Sequence, residues 1–256
     1  MYKYLVGIAF VIFLVLLYFH FASPAWIKCY WISQSNFIEA GKNVYVSPLI
    51  PKKLIPVIQK KLKEATIRVK SFWGNKEAEP IIVFCANQNE FTYYGSQKND
   101  VPALTHMTAM GAFIVVQLDG ISVDILAHEL THAELLARLG WFVKSNEIPT
   151  WFDEGLALQL DFRYPFNTFE RPSLQDYEDE CRKYTVNLPI TEYKTAQKFY
   201  GQGVSTHINY LFAGKEIRKW MHYHQEQKGL LWLISQLKKG KKFEIVYYAN
   251  DKKTKN

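Results

Sequence analysis

The pattern of apolar and polar positions divides the chain into a short strand-forming stretch and a longer helical one. From about residue 51 to 73, Leu54, Ile58, Leu62, Ala65, Val69 and Phe72 recur at spacings of three and four. That is the period of an amphipathic helix, whose Lys-rich opposite face reads as solvated. Ile81 to Ala86 and Ala112 to Leu118 are short unbroken apolar runs that read as buried strands. The polar stretch 87–110 between them reads as loop. Val123, Leu126, Leu130, Ala133 and Ala137 form another helical stripe, widened by Leu135, Leu136 and Leu139. Asp124 or Ser122 caps its start, and Gly140 fits its end. Pro149 is placed to open a further helix. Residues 161–199 contain Pro165, Pro172 and Pro189 and read as irregular, with an acidic run, Asp176 to Glu180, on a solvated face. Helices over about 203–223 and 226–238 close the pattern before a basic tail. The expected class is α+β: a small sheet followed by a mostly helical domain.

Residues 4–22 form an uncharged, almost wholly apolar run. At about 1.5 Å per residue such a run nearly spans a hydrocarbon core of roughly 30 Å. The expectation is an N-terminal transmembrane helix in the bilayer. Tyr2, Tyr4, Tyr18 and Trp26 would lie at the interfaces, with Lys3 on the cytoplasmic side and the main domain extracytoplasmic. The alternative is a signal peptide cleaved near Ser23-Pro24-Ala25, which would make the protein secreted. The corresponding division is a cytoplasmic terminus 1–3, an anchor 4–22, a connector 23–45, a domain 46–250 and a basic tail 251–256.

The chain has 256 residues, of which 48% are hydrophobic and 16% aromatic, so it is not a disordered chain. The net charge is +7, but the lysines are scattered and no nucleic-acid motif accompanies them. A solvated basic surface accounts for them, and nucleic acid is not an expected partner. Cys29, Cys85 and Cys181 do not define a disulfide framework. Cys85, inside an apolar run, reads as a buried thiol. One disulfide with one free thiol stays open.

The chemistry resides in His128-Glu129-Leu130-Thr131-His132, followed by Glu154 within Trp151-Phe152-Asp153-Glu154-Gly155-Leu156-Ala157. On a helix, side chains four apart share a face, so His128 and His132 can chelate one Zn²⁺ with Glu129 beside the open position. Glu154 supplies a third ligand, completing the His2Glu set of a catalytic zinc site. A buried helix bearing these polar groups needs partners for them, and a metal answers that need.

HELTH followed by IPTWFDEGLA resembles the gluzincin zinc metallopeptidases, above all the peptidase MA-like group related to aminopeptidase N. The resemblance covers roughly residues 45–250 and implies a gluzincin-like, zincin fold. It implies zinc ligands His128, His132 and Glu154, Glu129 as general base, and a peptide or protein substrate. The family places a catalytic Tyr in a Y-x-x-G step before a helix, and Tyr200-Gly201-Gln202-Gly203 matches it at Tyr200. In that reading the zinc and the Tyr200 hydroxyl stabilise the oxyanion, and the strand near Gly111 to Leu118 pairs with the peptide. The sequence also departs from the family. The spacing from His132 to Glu154 is longer than usual, leaving the connecting loop around Lys144 to Glu147 to absorb the difference. Thermolysin has an Asp four residues after the ligand Glu, where this chain has Leu158. No motif for gripping a free substrate amino group accompanies the set. His106, His207, His222 and His224 are kept off the metal, with His207 the one that would line the cleft. The other readings are an inactive peptidase-like domain that binds peptides or envelope proteins, and a membrane-tethered structural protein. Oligomeric state is not legible.

Overall fold

The structure is a computed structural model and describes Gly7 and residues 24–96, 101–163, 166, 168–186, 188–201 and 204–249. It is an α+β fold built on a small mixed sheet. In chain order the elements begin with α1 (Ala25–Tyr30), β1 (Ile38–Gly41), β2 (Val44–Val46), α2 (Ile55–Trp73), β3 (Ile81–Cys85) and α3 (Gln88–Tyr94). The hairpin β4 (Ala103–Thr108) and β5 (Gly111–Gln117) follows. Then come α4 (Val123–Leu139), α5 (Trp141–Glu147), α6 (Thr150–Ala157), α7 (Leu174–Cys181) and α8 (Ala196–Tyr200). The last helices are α9 (Val204–Tyr223), α10 (Gln227–Lys238) and α11 (Phe243–Tyr247).

The sheet order is β1-β2-β3-β5-β4. The β2/β3 and β3/β5 pairs are parallel, and the β1/β2 and β4/β5 pairs are antiparallel. The strand period of two explains the apolar runs. Ile82 and Phe84 of β3, with Ile114 and Val116 of β5, face the main core beneath α2 and α4. Val83, Cys85, Phe113 and Val115 face a second core with Cys29 and Ile32. Both faces are covered, so both strands read as continuous hydrophobics.

Several sequence expectations change. The stretch 87–110 holds α3 and β4. Asn87 caps α3 by accepting from the Glu90 amide at 3.1 Å, while Glu90 reaches back to the Ala86 amide at 2.8 Å. β4 carries polar residues on both faces, Thr105 on one and His106 on the other, which blurs the apolar alternation of a strand. β5, expected to pair with substrate, is bonded on both sides; among the described residues the edge strands are β1 and β4, and β4 is the one beside β5. Within 161–199 a capping box of Ser173 and Asp176 starts α7, and Tyr177 on its inner face is buried. Residues 24–45 contain α1 and β1, with Cys29 and Ile32 fully buried. All three cysteines are free and buried.

The expected transmembrane helix is not supported. Among the described residues no helix is long and apolar enough to cross a membrane. The longest, α2 and α9, carry charges such as Lys60, Lys61, Arg68, Lys215, Glu216 and Arg218, which a bilayer would not accept. Apart from Gly7, residues 4–22 lie outside the described residues. The single-pass placement, with a cytoplasmic N-terminus and an extracytoplasmic domain, falls with it.

Candidate metal centre

The centre forms where α4 crosses α6. Ser122 caps α4, its hydroxyl accepting from the Ile125 amide at 3.1 Å. The helix is buried almost all round, so the stripe seen in the sequence is only part of its packed surface. α6 follows Pro149, which stands just before the first turn. Gly155 lets α6 press against α9: a Cβ there would meet the Ala213 carbonyl oxygen at 2.5 Å and Ile217 at 2.7 Å. That close approach turns Glu154 toward α4.

His128, His132 and Glu154 converge, with one ligand atom from each lying within 4.8 Å of the others. His128 Nε2 is 3.4 Å and His132 Nε2 is 3.6 Å from Glu154 Oε2. That oxygen is buried and makes no hydrogen bond, an expensive arrangement unless something satisfies it. The group can hold a metal ion. Each imidazole turns its other nitrogen to an aspartate. His132 Nδ1 donates to Asp153 Oδ1 at 2.8 Å, which makes Nε2 the nitrogen that can offer a lone pair once its proton is displaced. His128 Nδ1 is 3.6 Å from Asp161 Oδ2, too far for a hydrogen bond. Each aspartate is paired with a cation. Lys144 Nζ lies 2.5 Å from Asp153 Oδ2, and Arg163 engages Asp161.

The electrostatics follow from these neighbours. Burial alone would lower the His132 imidazole, but Asp153 and Glu154 outweigh it and hold it well above its ordinary 6.5. Burial acts to raise Glu154, yet the charge of His132 and the contact with His128 leave the carboxyl well below its ordinary 4.5. For Asp153, burial is offset by His132 and Lys144, and for Asp161 by Arg163 and His128; both are lowered.

Glu129 is buried beside the ligands, and its Oε2 accepts from the Thr105 hydroxyl at 2.6 Å. The Tyr200 hydroxyl donates to Glu154 Oε1 at 2.5 Å. Burial first, and then the charge of Glu154, raise both Tyr200 and Tyr210, so both stay phenols. The centre lies on a cleft of about 1240 Å³ bounded by β4, α4 and α9. His106 and His207 line that cleft outside the ligand trio. His106 is tied to the Tyr94 carbonyl at 3.0 Å. His224 is 2.7 Å from the Trp220 carbonyl and stacks on that indole, away from the cleft.

The chain matches no family model, and no curated protein matches it. The centre therefore stands on its own geometry. The residues expected from the sequence, His128, His132, Glu154, Glu129 and Tyr200, are gathered by the fold in one cleft. Asp153, Asp161, Lys144, Thr105 and Tyr210 were not among those expected. Asp153 was visible in principle, being the neighbour of Glu154 in a short helix. Lys144 lies between His132 and Glu154, where the expected connecting loop is the helix α5.

Proposed function

We propose that the chain is a zinc-dependent peptidase that hydrolyses peptide bonds in the cleft along β4. The observation that carries this reading is the convergence of two imidazole Nε2 atoms and Glu154 Oε2 beside Glu129. Ligand distances of about 2.0–2.1 Å put the corners of a tetrahedral zinc site roughly 3.3–3.4 Å apart. The two separations to Glu154 Oε2, 3.4 and 3.6 Å, are close to that spacing, and all three ligand atoms lie within 4.8 Å of one another. The unbonded Glu154 oxygen and the fixed His132 tautomer supply what zinc requires of its ligands. Bound there, Zn²⁺ supplies Lewis acidity, acidifying water and polarising a carbonyl.

The protein's own groups do the rest. Glu129, next to the open side, takes a proton from the attacking water and passes it to the leaving amine. An extended peptide adds to the free edge of β4 through main-chain hydrogen bonds. Tyr200 steadies Glu154 in the resting site, and its hydroxyl would serve a developing oxyanion by turning its one proton away from Glu154 Oε1. Glu129, His128 and His132 come from two successive turns of one helix, so packing of α4 fixes their spacing.

The test is metal analysis and a peptide-library cleavage profile on the full chain. Wild type should hold near-unit zinc, cleave peptides, lose activity to a chelator and regain it with zinc. His132→Ala should lose most of the metal. Equal zinc in both proteins would refute the ligand assignment, and no cleavage by fully loaded wild type would refute the peptidase reading.

A further inference from the structure

Thr105 occupies a position shared by two parts of the cleft. Its backbone belongs to β4, the edge strand, and its side chain reaches α4. The β4/β5 register pairs Thr105 with Ile114, and just outside the ladder the Gln117 amide donates to the Pro102 carbonyl at 2.8 Å. Hydrogen-bonded and non-hydrogen-bonded pairs alternate along an antiparallel ladder. Counting from Pro102, Leu104 and His106 bond to β5. Ala103, Thr105 and Met107 therefore turn their N–H and C=O groups to the free edge. Side chains alternate with the same period. Leu104 packs toward the second core and His106 bonds to Tyr94 on that side, so Thr105 faces the other way, toward the centre.

There the Thr105 hydroxyl meets Glu129 twice, at 2.6 Å to Oε2 and 3.3 Å to the backbone carbonyl. A hydroxyl has one proton to donate. The shorter contact, to the carboxylate, has the geometry of a strong charge-assisted bond. Oε2 is thereby occupied, and Oε1 is the oxygen left to work on water. Glu129 is only 7% exposed, so solvent offers Oε2 little in exchange.

We propose that Thr105 is a positioning residue: its side chain fixes the rotamer of Glu129 while its backbone receives the peptide on the same strand. The inference rests on the peptidase reading and names the group that aligns the base with the substrate edge. Peptide pairing at the Thr105 backbone would steady β4 at the residue that holds Glu129. Binding along the edge and aiming of the base thus share one residue. Thr105 touches the reaction through Glu129, so its removal should act on turnover rather than on metal or substrate binding.

The experiment compares zinc-loaded full chains of wild type, Thr105→Val and Thr105→Ser on one peptide chosen from the wild-type cleavage profile. Valine is nearly isosteric and strand-forming, but it has no hydroxyl; serine restores it. Misplacing a reacting group by an ångström costs up to about a hundredfold. Thr105→Val should lower kcat by roughly tenfold to a hundredfold, with KM and zinc content close to wild type, and Thr105→Ser should recover most of the loss. Thr105→Ala takes the place of the Val variant if that one misfolds, with the same expectation. A kcat in Thr105→Val equal to or above wild type would overturn the proposal, as would an equal loss in Thr105→Ser. Wild type inactive at full zinc occupancy would sink the peptidase reading and the Thr105 role together. Active wild type with an unaffected Val variant would sink the Thr105 role alone.

Discussion

Replacing Lys144 by Met isolates the cation behind the metal centre. Lys144 is 8% exposed and Asp153 is 4% exposed, and the ammonium lies 2.5 Å from Asp153 Oδ2. The other oxygen, Oδ1, is taken by His132 Nδ1 at 2.8 Å. Met keeps the apolar stem of the lysine but removes the charge. Asp153 would then stay buried with half its partners gone. Removing one member of a buried pair costs about 3–5 kcal/mol, because the remaining charge is uncompensated. For a domain of this size each kcal/mol is worth roughly 2–4 °C in melting temperature, so Tm should fall by about 6–20 °C. Lys194→Met is the control. Lys194 pairs with Glu244 at 2.5 Å on the open surface, where such pairs contribute little, and its loss should leave Tm essentially unchanged. Thermal melting of the metal-free proteins, followed by circular dichroism, makes the comparison. A Lys144→Met variant that melts with wild type would refute the claim that Asp153 depends on this cation.

Tyr200→Phe removes the donor on Glu154 Oε1. At saturating zinc its kcat should fall by roughly 10²–10³ if the phenol turns its proton from Glu154 to the oxyanion in the transition state. Unchanged turnover would restrict Tyr200 to holding Glu154. The metal-free protein should also respond to pH with a definite sign. Asp153 and Glu154 are lowered in the fold, so their stabilisation is present above their ordinary 3.8 and 4.5 and is lost as pH falls through the folded values. His132 is raised, so its stabilisation is complete below 6.5 and is lost as pH rises through the higher folded value. Metal binding displaces that proton and strengthens with pH. The Tm gap between zinc-loaded and metal-free protein should widen from about pH 6 to about pH 8. A gap that narrows over that range would contradict the ligand role of His132.

What was legible in the sequence is what repeats along the chain. α2, α4, α9, α10 and the strands β3 and β5 follow from apolar spacing, and Ser122 and Gly140 mark the ends of α4. His128, Glu129 and His132 are local to one helix, and Glu154 stands out by its context. β4 was not legible because Thr105, His106 and Thr108 make half of its residues polar, and the first two face Glu129 and Tyr94. Lys144, Asp161 and Thr105 act across 9, 33 and 24 residues on Asp153, His128 and Glu129. No period encodes such contacts; the packing of α4 against β4, α5 and α6 creates them. The apolar run 4–22 shows the reverse failure, since hydropathy alone named an anchor that no described helix supports.

Glu129→Gln removes the proposed base and leaves His128, His132 and Glu154 in place. Gln keeps the size of Glu and can still meet the Thr105 hydroxyl, but it cannot take a proton from water at neutral pH. Zinc content, melting temperature and turnover of a single peptide should be measured on the full-length variant beside wild type. Glu129→Gln should hold near-unit zinc, melt close to wild type and show no detectable hydrolysis. Full activity in Glu129→Gln would contradict the role of Glu129 as the base.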